Sequence, residues 1–195
     1  MSQVATRSVR REDGKAWSVT ADLCVVGAGI SGVSAALEAA RLGRKVLLVD
    51  GLPAIGGQAV NSIIGTFCGL FGNGDKPAQL THGIADRILK DLGEKEALYH
   101  AFSTAAKTTV VYYDEVALAR WIEEAIRAAG VQVILGAVLR EAKLEGRRLT
   151  ALSLATRYGD VNVRANGFVD ASGDAALAWL AGLPCREPEQ PLYGT

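Results

Sequence analysis

Gly27, Gly29 and Gly32 stand in the stretch DLCVVGAGISGVSAALEAARLGRKVLLVD, which runs from Asp22 to Asp50, with the spacing G-x-G-x-x-G. Glycines at this spacing suit a dinucleotide. The first allows a tight turn after a strand, the second lets a pyrophosphate approach the backbone, and the third lets the next helix pack on the strand. Ala28, Ile30 and Ser31 fill the turn, and a helix opening at Ile30 offers N–H groups and a partial positive charge to the phosphates. Asp50, followed by Gly51, ends the next apolar run, about 20 residues beyond the turn, where a carboxylate can accept both hydroxyls of a ribose. The motif alone is weak evidence. The strand before it, the helix after it and the acid at the following strand end supply the context that it needs. The competing reading is a glycine-rich turn without a ligand, which has no use for that acid.

A second turn with possible ligand chemistry lies at Ser172-Gly173-Asp174, between an apolar strand and a short helical stretch, Ala175–Leu180. Its N–H groups can face a pyrophosphate, and the Asp174 carboxylate can accept a hydroxyl. The alternative is that Asp174 only caps the helix. Reactive side chains are otherwise sparse. Cys68, in GTFCGLFG, is a candidate redox or cofactor-tuning thiol, but no second cysteine stands at disulfide-reductase spacing, and an inert thiol is the competing reading. His82 is a candidate proton donor or point of cofactor attachment, set against an ordinary surface or core histidine. His100, Tyr112 and Tyr113 have weaker claims, with packing as the default. The three cysteines and two histidines do not make a zinc site.

The elements that must position these residues follow from periodicity. Leu23–Val26 and Val46–Val49 are unbroken apolar runs, as strands buried on both faces of a parallel sheet require. Between them Ile30, Val33, Leu37 and Ala40 recur at helical spacing up to Gly43, which gives a β-α-β unit of the Rossmann kind. Residues 51–77 form a long glycine-rich connection, which implies a functional loop. Helices are expected over Ala78–Leu92 and Glu115–Ala129, the second with Val116, Ala119, Ile122 and Ile126 on one face. Leu98–Lys107 is ambiguous. Strands are expected over Thr108–Tyr112 and Val131–Leu135. Ala137–Leu144, Leu149–Thr156 and Val161–Ala165 read as an antiparallel three-stranded meander, followed by a separate short strand, Gly167–Asp170.

The chain divides into an N-terminal arm at 1–20, with a short strand near Ala16–Val19, a domain at 21–183 and a proline-containing linker at 184–195. The 195 residues suit one domain or slightly more. Lys and Arg together number 21, as do Asp and Glu, so the chain carries no net field to attract nucleic acid or an anionic membrane. The sequence has no apolar run long enough for a membrane span, no secretory h-region and few cysteines, which together suggest a cytoplasmic protein.

Three stretches carry a resemblance to a known family. They are the G-x-G-x-x-G unit with Asp50, the pair Gly56-Gly57 with Gln58 and Ala59 just beyond it, and Val169-Asp170-Ala171-Ser172-Gly173-Asp174-Ala175-Ala176. Together they resemble the flavin-binding half of FAD-dependent oxidoreductases of the glutathione-reductase-like superfamily, nearest its fumarate-reductase-like branch. Asp50 stands where Glu is more usual, and Ser172 where Thr is. The resemblance implies a Rossmann-like α/β domain, with a parallel sheet plus a three-stranded antiparallel β-meander, that binds FAD. It implies that Gly56-Gly57 approaches the pyrophosphate, that Val138 meets the adenine and that Asp174 binds the ribityl chain. It also implies a flavin-dependent oxidoreductase acting on a small molecule, completed by a substrate domain beyond residue 195 or by a second chain. Two alternatives stand beside it: a flavin-holding subunit without chemistry of its own, and a non-redox dinucleotide-binding enzyme of thiazole-synthase type.

Overall fold

The computed structural model describes residues 16–74, 76–104 and 107–185. The first crossover unit is β1 (Trp17–Val26), α1 (Ile30–Arg41) and β2 (Val46–Asp50). Cys24, Val25, Leu47 and Leu48 have no exposed surface, as strands covered on both faces require. Burial pushes the Cys24 thiol up to about 12, so it is an inert core group. Next come α2 (Gln58–Asn61), β3 (Thr66–Phe67), α3 (Ile84–Gly93), β4 (Leu98–Ser103), β5 (Thr108–Tyr113) and α4 (Glu115–Ala128). The chain closes with β6 (Gln132–Leu135), β7 (Val138–Glu145), β8 (Arg148–Thr156), β9 (Gly159–Asp170) and α5 (Ala176–Leu180).

The main sheet has the order β6-β2-β1-β9-β8-β7. The pairings β6–β2, β2–β1 and β1–β9 are parallel, whereas β9–β8 and β8–β7 are antiparallel. The expected parallel sheet and meander are therefore both present, and they are fused. The third meander strand and the separate strand expected at Gly167–Asp170 are one strand, β9. Likewise, the short strand expected near Ala16–Val19 is the start of β1, paired through Trp17↔Val161. Pairing with β1 through Ala21↔Ala165 and Leu23↔Gly167 carries the strand past Asn166 without a break. A smaller antiparallel sheet, β3-β5-β4, resolves the ambiguous region as strand β4 and places a short strand and a helical turn inside the glycine-rich connection.

Two helical expectations need correction. The helix expected from Ala78 begins at Ile84. Gly72 N–H donates to the Ala78 carbonyl and Leu80 N–H to that of Leu70, which holds the approach extended. Gly83 then takes a φ of +80°, and its N–H donates to Asp86 at 2.8 Å. On α4 the buried residues are Leu118, Trp121, Ile122 and Ile126, and Val116 is exposed. Trp121 sets that rotation, since its indole N–H donates to Asp91 of α3 at 2.7 Å. Asp114 starts α4 by accepting from Ala117 N–H at 2.8 Å.

One face of the main sheet is covered by α1, α3 and α4, whose Val33, Leu37, Leu92, Leu118 and Ile122 form the larger core with Val25 and Leu48. The opposite face packs Cys24, Leu47, Leu152, Leu154, Val161 and Val163, with Leu177 of α5. Among the described residues no helix is long and apolar enough to cross a membrane. No group of three or more His, Cys, Asp or Glu residues there could hold a metal ion.

Candidate functional site

The glycine turn leaves β1 between two acids that end the flanking parallel strands. Val26, the last residue of β1, pairs with Val49 on one side and Asp170 on the other, and Asp50 follows Val49 directly. Ligands of open α/β sheets bind at this carboxyl edge. Asp50 braces the turn, accepting from Ala28 N–H at 2.5 Å and from Leu52 N–H at 2.7 Å through different oxygens. Each carboxylate oxygen has a further lone pair, so Asp50 can still accept ribose hydroxyls.

The three motif glycines have different reasons to be glycine. A Cβ on Gly27, at φ +103°, would lie 2.2 Å from the Ala171 carbonyl oxygen. A Cβ on Gly32 would lie 1.8 Å from the Gly27 carbonyl oxygen. Both are required by packing. Gly29 is not. It has φ −67° and ψ 178°, which any residue adopts, and a Cβ there would meet nothing within 4 Å. It stands at the N-terminus of α1, which has no side-chain cap and no acid in its first turn. The space before Gly29 is thus open, lined by helix N–H groups and the positive end of the helix dipole, and fits a pyrophosphate.

Gly56 and Gly57 buttress this turn from behind. Gly56 N–H donates to the Ala28 carbonyl at 2.7 Å, and a Cβ on Gly57 would lie 2.7 Å from the Gly29 Cα. Contact with the turn is a sufficient reason for Gly57, whereas Gly56, at φ +108°, is held to glycine by Val60 of α2, whose Cγ2 would lie 2.3 Å from an added Cβ. Gln58 and Ala59 follow in α2, and Tyr113 anchors this turn by donating its hydroxyl to the Ala59 carbonyl at 2.8 Å. Phe67 stacks on the Tyr113 ring at 4.2 Å, and burial pushes the phenol's pKa upward. The sequence gives Tyr113 packing as its default role, because a tyrosine at a strand end looks like packing until its partner is known.

A cleft of about 260 Å³ at the carboxyl edge draws together Gly27, Asp50, Gly51, Val138 and Ser172. Residues far apart in sequence thus share one concavity, and Val138 is 59% exposed within it. Ile30 and Ser31 lie at the α1 N-terminus, in the wall of a second, larger cleft that also includes His82. Cys68 is exposed and lines neither cleft.

At the second turn the acid that organises the backbone is Asp170. One oxygen accepts from Ser172 N–H at 3.0 Å and Ser172 Oγ at 2.6 Å, and the other from Ala178 N–H at 2.9 Å. Burial pushes the Asp170 carboxyl up, but the bonds from Ser172, Ala178 and Leu177 outweigh it and hold it below its ordinary value. Ser172 Oγ in turn accepts from Ala176 N–H at 3.0 Å. These residues do the work of a cap, so Asp174 does not. It is exposed and has no hydrogen-bond partner among the described residues. Gly173 beside it is exposed at φ +86°. Asp170 had a sequence signal, since it ends an apolar strand before a turn just as Asp50 does.

His82 lies before α3 rather than within it, and it has a partner. Its Nδ1 stands 3.3 Å from the Asp86 carboxylate, which also accepts from Gln79 Nε2 at 2.6 Å.

A family model described as FAD dependent oxidoreductase matches residues 22–191. The probable oxidoreductase OrdL of Haemophilus influenzae is 48% identical over 48 residues, 21% of this chain and 11% of that protein. Among solved structures, p-nitrophenol 4-monooxygenase PnpA from Pseudomonas putida superposes with a TM-score of 0.63 at 13% identity, covering 85% of this chain and 44% of that one. A geranylgeranyl bacteriochlorophyll reductase-like protein from Thermoplasma acidophilum gives 0.59 at 19% identity, covering 85% and 43%. THI4 from Thermovibrio ammonificans gives 0.57 at 19% identity, covering 85% and 64%. The chain therefore spans less than two thirds of each of these proteins, and at these identities the structural likenesses establish the fold.

Proposed function

The chain belongs to the FAD-dependent oxidoreductase family, with FAD as its cofactor, and from that premise we propose how its residues hold the cofactor and what the whole protein does. The adenosine occupies the cleft of about 260 Å³, its ribose on Asp50 and its adenine against Val138. The pyrophosphate lies over Gly29, facing the N–H groups at Ile30, Ser31 and Gly32. Gly56 and Gly57 hold that turn from behind, while Ser172, just past the end of β9, lines the cleft with Gly173 next to it in the chain. The flavin end leaves past Ile30 and Ser31, and Asp174 accepts a hydroxyl of the ribityl chain. The observation that carries this reading is the open Cβ position of Gly29 beside two glycines that packing fully explains.

The bound flavin would supply the hydride or electron transfer, and this chain binds and orients it. The whole protein is an oxidoreductase of a small molecule, its active site completed by a further domain or a second chain. The family match favours this over the non-redox reading that a likeness to THI4 raises.

The test is to release the cofactor from the purified protein, identify it by mass, and titrate the stripped chain with FAD, FMN and ADP. FAD retention with competition by ADP, and weakening of both by Asp50→Ala, is the expected result. Recovery of FMN alone, or FAD binding indifferent to ADP and Asp50, would refute the assignment. Bleaching of the reconstituted flavin by a hydride donor separates an active oxidoreductase from a subunit that merely holds the cofactor.

A further inference from the structure

We propose that the larger cleft, between α1 and α3, binds an uncharged and mainly apolar small molecule bearing a hydroxyl or carbonyl oxygen, with His82 as its hydrogen-bond partner. The cleft measures about 660 Å³, within the roughly 300–1,000 Å³ of small-molecule sites. Ile30 forms its α1 wall, Phe67 and Leu70 its floor, and Ile84 and Ile88 its α3 wall. Four uncharged polar or titratable residues line it beside these apolar ones: Ser31, Ser34, Thr81 and His82.

The arrangement around His82 gives it a defined orientation. Asp86 faces Nδ1 at 3.3 Å and is itself fixed by Gln79 Nε2 at 2.6 Å and Gly83 N–H at 2.8 Å. Hydrogen bonding from Gly83 leads the influences that hold the Asp86 carboxyl below its ordinary value, so it stays an anion. A carboxylate at Nδ1 favours the proton there and leaves Nε2 as the nitrogen that meets a ligand. Charge selects the ligand class. Glu38 in the wall is matched by Arg41 at 2.6 Å, and Asp86 balances His82 when that ring is protonated. No surplus cation remains among these groups to hold an anion, so the oxygen of an uncharged molecule is the better partner.

The cleft also continues from the cofactor turn, because Ile30 and Ser31 belong to both. On the cofactor reading, which this proposal deepens, the occupant lies next to the departing flavin.

The probe is 2-naphthol, a bicyclic apolar body with one hydroxyl and an intrinsic fluorescence, titrated into the full chain with and without saturating FAD. Ser34→Trp and Thr81→Trp plug the cleft from opposite rims. His82→Ala removes the anchor, and His82→Gln restores a polar partner. Saturable binding with similar affinity in both cofactor states is expected. Each folded plug variant should weaken it by about tenfold or more, with FAD affinity unchanged. His82→Ala should weaken it several-fold and His82→Gln recover part of the loss. The proposal is overturned if the folded chain shows no saturable binding, if neither plug weakens it, or if FAD displaces the probe, which would assign the cleft to the cofactor's own ring. Naphthol binding that both plugs abolish in a chain unable to bind FAD would support this proposal while refuting the cofactor reading.

Discussion

Gly29→Val tests whether the glycine turn serves a ligand or only the fold. The backbone at Gly29 has φ −67° and ψ 178°, and an added Cβ meets nothing within 4 Å, so valine fits the apo-protein. The energetic terms nearly cancel. Replacing a helix N-cap glycine with a poorer cap costs up to about 1 kcal/mol, and removing glycine's freedom from the unfolded chain returns roughly 0.4–1 kcal/mol. The unfolding midpoint should therefore move by no more than about 4 °C. Cofactor affinity should respond differently. The isopropyl group fills the space before the α1 N-terminus and pushes a pyrophosphate off its N–H donors. Each hydrogen bond to a charged group contributes about 1.5–3 kcal/mol, so losing one weakens binding about tenfold to a hundredfold, and losing two compounds the loss. The assay is FAD titration of stripped protein beside thermal unfolding of the apo form. Gly27→Ala serves as the contrast, because its Cβ would lie 2.2 Å from the Ala171 oxygen and should destabilise the fold itself. Unchanged FAD affinity in a folded Gly29→Val protein would falsify the argument and leave the turn purely structural.

Three further outcomes follow from the second turn. Asp174→Ala should leave apo stability unchanged, because Asp174 has no internal partner among the described residues, yet weaken FAD about tenfold to a hundredfold through loss of one charge-assisted bond; an unfolding midpoint that drops while FAD binds normally would make it a structural residue after all. Asp170→Asn should destabilise the protein at neutral pH, with a gap from the parent that shrinks as pH falls. The folded carboxyl lies below its ordinary value of about 3.9, so its contribution is complete above that value and fades as pH drops through the lower folded one; a gap that stays constant in acid-unfolding curves would contradict this. Ala175→Gly should stabilise the protein by up to about 1 kcal/mol in urea titrations, because Ala175 has φ +53°, a left-handed conformation that costs an L-residue roughly 1–2 kcal/mol against glycine's entropic penalty of roughly 0.4–1 kcal/mol; equal or lower stability would show that the turn is relaxed as it stands.

The cofactor end of the molecule was legible in the sequence because its constraints are local. A buried parallel strand must be an apolar run, the turn after it must be glycine where φ is positive, and an acid at the next strand end has few other reasons to be there. Leu23–Val26, Gly27 at φ +103° and Asp50 satisfy these in turn. What the sequence concealed depends on partners distant along the chain. Tyr113 holds the Ala59 carbonyl from 54 residues away, and nothing near either residue signals it. The fused strand β9 was read as two, because Asn166 and Gly167 resemble a break when the β1 partner that carries them through is unknown. The helix expected at Ala78 started late because periodicity cannot register that Leu70 and Phe71 pair with Leu80 and Gln79. His82 was judged alone because its partner, four residues on, counts as a neighbour only once the first turn of α3 is placed.

Strand β9 has a consequence for how a nucleotide enters. It pairs with β8 from Gly159 to Arg164 and with β1 from Val161 to Asp170, so one uninterrupted ribbon joins the meander to the glycine turn. The wall bearing Val138 and the wall bearing Asp50 are thus joined strand to strand through β7, β8, β9, β1 and β2. The adenosine cleft therefore works as a fixed die, with its shape set before any ligand arrives. Amides along both strands should exchange only when the whole domain unfolds, and nucleotide capture should not wait on closure at that end.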